Sequence, residues 1–154
     1  MNYITLLLSN KLLLAALCGW ATAQIIKTVI DLLLNKSFNP ERLFGSGGMP
    51  SSHSSTVCAL STAAFIIHGG DSPYFAISAI LAIIVMYDAR GVRRETGTQA
   101  AVLNQIMSFL NAEHPEKLLF SEENLKELIG HTPLQVFMGA LLGIAVGIIF
   151  CIYI

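Results

Sequence analysis

LQVFMGALLGIAVGIIFCIYI, residues 134–154, runs for 21 positions without a charged side chain. A helix needs about 20 predominantly apolar residues to cross the hydrocarbon core of a bilayer, and this stretch supplies them. Within it Gly139, Gly143 and Gly147 recur every fourth residue, the small-residue ridge along which membrane helices approach closely. Such a ridge serves packing within one bundle or between two copies of the chain, so a homodimer is among the expected partners.

Working outward, three more apolar runs stand out, roughly Leu12 to Leu34, Ser54 to Ile67 and Tyr74 to Met86. The last two are joined by His68-Gly69-Gly70-Asp71-Ser72-Pro73, a turn sequence that folds them into a helical hairpin. Neither strand alternation nor a polar helix face interrupts Ala76 to Val85, so a soluble layered fold is excluded. Composition agrees. Of 154 residues 54% are hydrophobic and 12% charged, against roughly 25% charged in an ordinary soluble domain, and the mean hydropathy is +0.65. The expected architecture is all-α: one domain over residues 1–154, an integral membrane bundle of about four spans with short amphipathic interfacial helices.

A net charge of −1 leaves no global basic field for nucleic acid. Cys18, Cys58 and Cys151 are odd in number and each set in an apolar run, so they are read as packing residues rather than disulfides or zinc ligands. The run ahead of Ala21-Thr22-Ala23 resembles a signal peptide. Cleavage is not expected, because no positive charge precedes Lys11 and the apolar pattern continues to Leu34.

Threading four spans puts two polar stretches, Asn35 to His53 and Asp88 to Pro133, on one membrane face. Seven of the nine Lys and Arg lie there: Lys36, Arg42, Arg90, Arg93, Arg94, Lys117 and Lys126. The bias of positive charge toward the inner side makes that face cytoplasmic, in a membrane of the bacterial inner-membrane type. Within the second stretch, apolar residues from Gln99 to Leu110 follow helical spacing, and Ser121 to Ile129 carries a capping Ser and a stopping Gly130; both are expected as interfacial helices.

The chemistry-bearing residues converge on the same face. Gln24, Lys27, Thr28 and Asp31 draw a polar stripe along the first span, where charges are costly and usually functional; a self-neutralising Lys27–Asp31 pair is the structural alternative. Gly45-Ser46-Gly47-Gly48-Met49-Pro50-Ser51-Ser52-His53 feeds the start of the second span, and backbone N–H groups at such a place suit an anion. Plain helix capping by Ser51 or Ser52 is the bland reading. Asp88-Ala89-Arg90-Gly91-Val92-Arg93-Arg94 closes the third span with guanidinium forks fit for phosphate, or for anchoring to anionic headgroups. His131 precedes the last span. Two histidines, several cations and an N–H-rich loop delivered to one place form a constellation for phosphoryl chemistry. His68 and His114 lie apart from it and are read as surface residues.

These motifs resemble the superfamily of type 2 phosphatidic acid phosphatases and vanadium-dependent haloperoxidases, and more closely its small divergent membrane branch. Pro50-Ser51-Ser52-His53 is similar to the Pro-Ser-Gly-His motif, with Ser52 in place of glycine. His131-Thr132-Pro133-Leu134-Gln135 resembles the end of the last motif, with Gln135 where the superfamily has aspartate. Arg93 or Arg94 matches the arginine that opens that motif, Lys27 with Arg42 stands for the first, and Arg90 falls at a variable position. The resemblance implies an acid phosphatase that needs no metal or cofactor, with His131 as nucleophile forming a phosphohistidine and His53 protonating the departing oxygen. Lys27, Arg42, Ser51, Ser52, Arg93 and Arg94 would hold the phosphate, and Gln135 or Asp88 would orient His131. The expected substrate is a lipid phosphate of the phosphatidylglycerophosphate, phosphatidic acid or polyprenyl phosphate type, held in the bilayer. A catalytically silent lipid-phosphate binder or carrier using the same pocket is the other reading, and Gln135 is the residue that sustains it.

Overall fold

A computed structural model describes residues 2–36, 48–113 and 131–153, and among them every regular element is helical. In chain order these are α1 (Tyr3–Leu8), α2 (Lys11–Asn35), α3 (Ser52–His68), α4 (Pro73–Arg90), α5 (Val92–Glu113) and α6 (Pro133–Tyr153). The protein is an all-α membrane bundle, and four of these helices reproduce the four apolar runs to within a few residues. Local chemistry sets their starts. Asn10, Ser51 and Ser72 each accept a hydrogen bond from the backbone N–H three residues on, and Pro73 occupies the first turn of α4, where a missing N–H costs nothing.

Helix α3 is the hub, with α2, α4 and α6 packed around it. Its buried positions are all small or modest in size: Ser52, Ser54, Ser55, Val57, Cys58, Ala59, Ala63 and Ala64. This lets backbones come together. A methyl group at Gly143 would meet the Ser55 carbonyl oxygen, and one at Gly139 the Ser51 carbonyl oxygen; at Gly147 it would stand 2.8 Å from Cβ of Thr62. On the other side of α3, a methyl at Gly19 of α2 would stand 2.8 Å from Cβ of Ala59, and the Ser55 hydroxyl donates to the Gly19 carbonyl at 2.8 Å. The glycine ridge of α6 is therefore occupied within the bundle, by α3.

Among the described residues, three helical runs are long and apolar enough to cross a membrane: Lys11–Leu34, Pro73–Ala112 and Pro133–Tyr153. The second of the four expected spans, α3, has 17 residues, about 26 Å at 1.5 Å per residue; its first turns are enclosed by the other helices, whereas Phe65, Ile66 and Ile67 near its end are exposed. The serine-rich first turns follow from that position, since turns surrounded by helices need not present an apolar surface to lipid. The expected amphipathic helix at Gln99 to Leu110 is present but starts earlier, at Val92, one residue after α4 ends. It leaves Val102, Leu103, Ile106 and Phe109 exposed. The helix expected over Ser121 to Ile129 lies outside the described residues, as does His114. His68 ends α3 and lies against the Tyr74 ring at 4.7 Å, away from the site.

Candidate active site

Three chain segments distant in sequence meet at the start of α3. Ser51 is the N-cap, fully buried, with its hydroxyl accepting from the Ser54 N–H at 3.4 Å. The Ser51 N–H donates to the Gln135 carbonyl at 3.0 Å, which fixes the serine loop to the first turn of α6. Ahead of α6, the His131 N–H donates to the Ala89 carbonyl at 3.2 Å, so the end of α4 sets the height of that histidine. The result is a pair of imidazoles, His53 and His131, with centroids 5.9 Å apart and ring planes at 65°. A single phosphoryl group can touch both.

His131 is 3% exposed. Its Nδ1 lies 3.3 Å from the Gln135 side-chain oxygen. An amide oxygen can only accept, so this contact assigns the proton to Nδ1 and leaves the lone pair on Nε2. The same oxygen accepts from the Thr132 N–H at 3.0 Å, and the Thr132 hydroxyl accepts from the Gln135 N–H at 3.4 Å. Thr132-Pro-Leu-Gln135 is thus a reciprocal capping box in which the glutamine both starts the helix and orients the imidazole. Asp88, the other residue expected to orient His131, is partly buried in the last turn of α4 beside Ala89.

Lys27 is 3% exposed, deep in α2. Gly48 lies over its stem: a methyl group there would stand 3.1 Å from Cγ and 3.2 Å from Cδ of the lysine, and Gly48 has a φ of +78°, a left-handed conformation that suits glycine. Lys27 and Asp31, one turn apart, share a cleft of about 360 Å³ with Gly48, Met49, Thr132 and Gln135. The lysine thus reaches the side of the bundle that holds Thr132 and Gln135, as the polar stripe of the first span suggests. Ser52 is buried in the first turn of α3. Arg93 and Arg94 fall in the first turn of α5, immediately beyond the α4 terminus that carries Ala89. Arg42 lies outside the described residues.

The structure therefore brings together His53, His131, Lys27, Ser51, Ser52 and Gln135. Sequence reasoning missed Thr132, whose place three residues before a glutamine was a legible capping signal, and the Ala89 carbonyl, which no side-chain pattern could announce. Replacing Gln135 by alanine removes the imidazole partner together with the side-chain half of the capping box, while the Thr132 hydroxyl can still accept from the residue-135 N–H. It is expected to lower kcat roughly tenfold or more while changing KM little, whereas Thr132→Ala, which keeps the glutamine oxygen, is expected to cost less; steady-state kinetics on the two variants check this.

A family model for the divergent PAP2 family matches residues 8–146. A curated relative, an uncharacterized membrane protein, YuiD, of Bacillus subtilis (strain 168), is 43% identical over 149 residues, covering 90% of this chain and 92% of the relative. No solved structure matches the chain.

Proposed function

Because the chain belongs to the divergent PAP2 family, we propose that it is an integral membrane phosphatase that hydrolyses lipid phosphates through a phosphohistidine. The observation that carries this reading is the pairing of His53 and His131, 78 positions apart, over a buried Lys27 and a serine-capped helix start. Nε2 of His131 attacks phosphorus, and the bond to the leaving alkoxide breaks as His53 hands it a proton. Charge on the three equatorial oxygens is met by the Lys27 ammonium, the first-turn N–H groups of α3 and the arginines that open α5. Water then gives its proton to His53 and attacks phosphorus, which breaks the P–N bond, frees inorganic phosphate and returns both histidines to their starting states.

The burial of Lys27 and His131, with His53 partly exposed beside them, at one end of a membrane bundle supports a substrate whose phosphate sits at the headgroup level. Phosphatidylglycerophosphate, phosphatidic acid and polyprenyl phosphates all meet that requirement. The test is phosphate release by the purified protein in liposomes over that panel, with vanadate as inhibitor, since vanadate adopts the five-coordinate shape of the transition state. One feature favours a second reading, a silent lipid-phosphate binder: Gln135 is neutral and stabilises an imidazolium less than a carboxylate does. Vanadate binding without release from any substrate would select that reading and overturn the first.

The proposed orientation, with the site toward the cytoplasm, rests on the Lys and Arg bias. With the three native cysteines replaced, a cysteine at Ser46 is expected to react with a membrane-impermeant maleimide only after the membrane is opened, and a cysteine at Asp71 before. The reverse pattern would invert the topology.

A further inference from the structure

Helices α4 and α6 both pack on α3 but touch each other little, which leaves a slot of about 340 Å³ between them. Its walls include Cys58, Thr62 and Phe65 of α3, Phe75 and Ile83 of α4 and Ile144 of α6. Phe65, Ile83 and Ile144 are themselves exposed, so the slot opens sideways on the flank of a membrane bundle, where it faces hydrocarbon.

The slot is in register with the two histidines. At a rise of 1.5 Å per residue, Cys58 lies about 8 Å below His53 along α3, and Ile83 about 9 Å below Ala89, whose carbonyl holds the His131 N–H. Phe65 and Phe75 mark the lower end, about 18 and 21 Å down. The Cys58 and Met86 sulfurs, 3.9 Å apart, narrow the upper end. Two separate helices therefore place the slot at the same depth, beginning about one and a half turns beneath the imidazoles and continuing toward the opposite face. The cleft beside Lys27 and Gln135 is the polar counterpart, on the other side of the α6 start.

We propose that this slot between α4 and α6 holds the hydrocarbon chain of the phosphorylated lipid while its phosphate lies between His53 and His131. The inference rests on the phosphatase reading for the headgroup and adds where the substrate enters: laterally, chain first, from the bilayer. The chain then acts as a remote binding determinant that sets the height of the phosphorus against Nε2 of His131. A chain that is too short leaves the headgroup unanchored and raises KM.

The experiment uses the full-length protein in liposomes and a lipid phosphate with a diazirine at the middle of its chain. A phosphatidylcholine with the same chain reports ordinary surrounding lipid. The lipid phosphate is expected to label residues of the slot about fivefold more than the phosphatidylcholine does, and Ala79→Phe, which fills the α4 wall, to reduce that labelling about tenfold, with Ala79→Leu intermediate. Ala79→Phe is likewise expected to raise KM about tenfold for a long-chain lipid phosphate and to leave a four-carbon alkyl phosphate unchanged. Equal labelling by the two lipids, labelling concentrated elsewhere, or an equal loss with both chain lengths would overturn the proposal. Labelling needs no turnover, so a wild-type protein that labels in the slot yet releases no phosphate would overturn the phosphatase reading and leave the slot assignment standing.

Discussion

His131→Ala is expected to abolish phosphate release from every substrate, lowering the rate by roughly 10⁴-fold or more, because in the proposed mechanism it removes the atom that bonds to phosphorus. The loss should not depend on the leaving group. His53→Ala is expected to behave differently. In the proposed mechanism its imidazole supplies a proton to the departing oxygen, so the deficit in the burst of leaving-group release should be roughly 10²- to 10⁴-fold for a lipid alkoxide and much smaller for p-nitrophenol, which leaves without protonation, while hydrolysis of the phosphohistidine slows equally for both. A comparison of the two variants on the two leaving groups separates nucleophile from acid. Both should still bind vanadate reversibly through Lys27 and the α3 terminus. Rapid quench into alkaline detergent, in which a P–N bond survives, should trap labelled phosphate on wild-type and His53→Ala protein but not on His131→Ala; a phosphoprotein in the last of these would overturn the assignment.

The second large effect is structural. Gly143→Val places side-chain carbon where the Ser55 carbonyl oxygen already stands, with the Ser55 carbonyl carbon and the Cys58 Cβ each 2.9 Å from the first added atom. Two of those three neighbours are backbone of the central helix and cannot swing away. Overpacking of this kind typically costs about 1–3 kcal/mol where side chains can adjust, and more where they cannot. The expected outcome is loss of the folded protein from detergent extracts, or a fall in unfolding temperature larger than any other single change here produces. Gly70→Ala is the control. Its new methyl would meet the edge of the Phe65 ring at 2.9 Å, an exposed side chain free to move, and stability should stay near wild type. Thermal unfolding followed by far-ultraviolet circular dichroism distinguishes the two.

How much of this was legible in the sequence depends on the range over which each feature is encoded. The last span was legible because a charge-free run of bilayer length has few other destinations; the expected Leu134 start and the observed Pro133 differ by one residue. Lys27, Ser51, His53 and His131 were legible for a related reason, since polar groups in such a setting need partners, and only one end of the bundle offers them. Helix α5 was misjudged at its start. Arg93, Arg94, Glu95 and Gly97 show no apolar periodicity, and what carries the helix through them is its near continuity with α4, a tertiary fact. Helix α1 was not read at all, because six residues are too few for a periodic signal. The approach of Gly48 to Lys27 joins residues 21 positions apart, and no local pattern announces it.

The burial of Lys27 has a consequence for how the protein is made. A lysine or aspartate costs an inserting helix about 2.5–3.5 kcal/mol at its centre, on the scale set by the translocation machinery, and less toward the end where Lys27 and Asp31 lie. Lys27 and Asp31 both lie in the first long span to leave the ribosome, whereas the residues that share their cleft, Gly48, Thr132 and Gln135, are synthesised afterwards. During synthesis α2 therefore carries two charged side chains whose cleft is unfinished, and the cleft is complete only when the first turn of α6 has been added. A nascent chain released ahead of Pro133 is expected to be cleared by membrane proteases much faster than the finished one, so quality control, and not only catalysis, reads whether the site has been assembled.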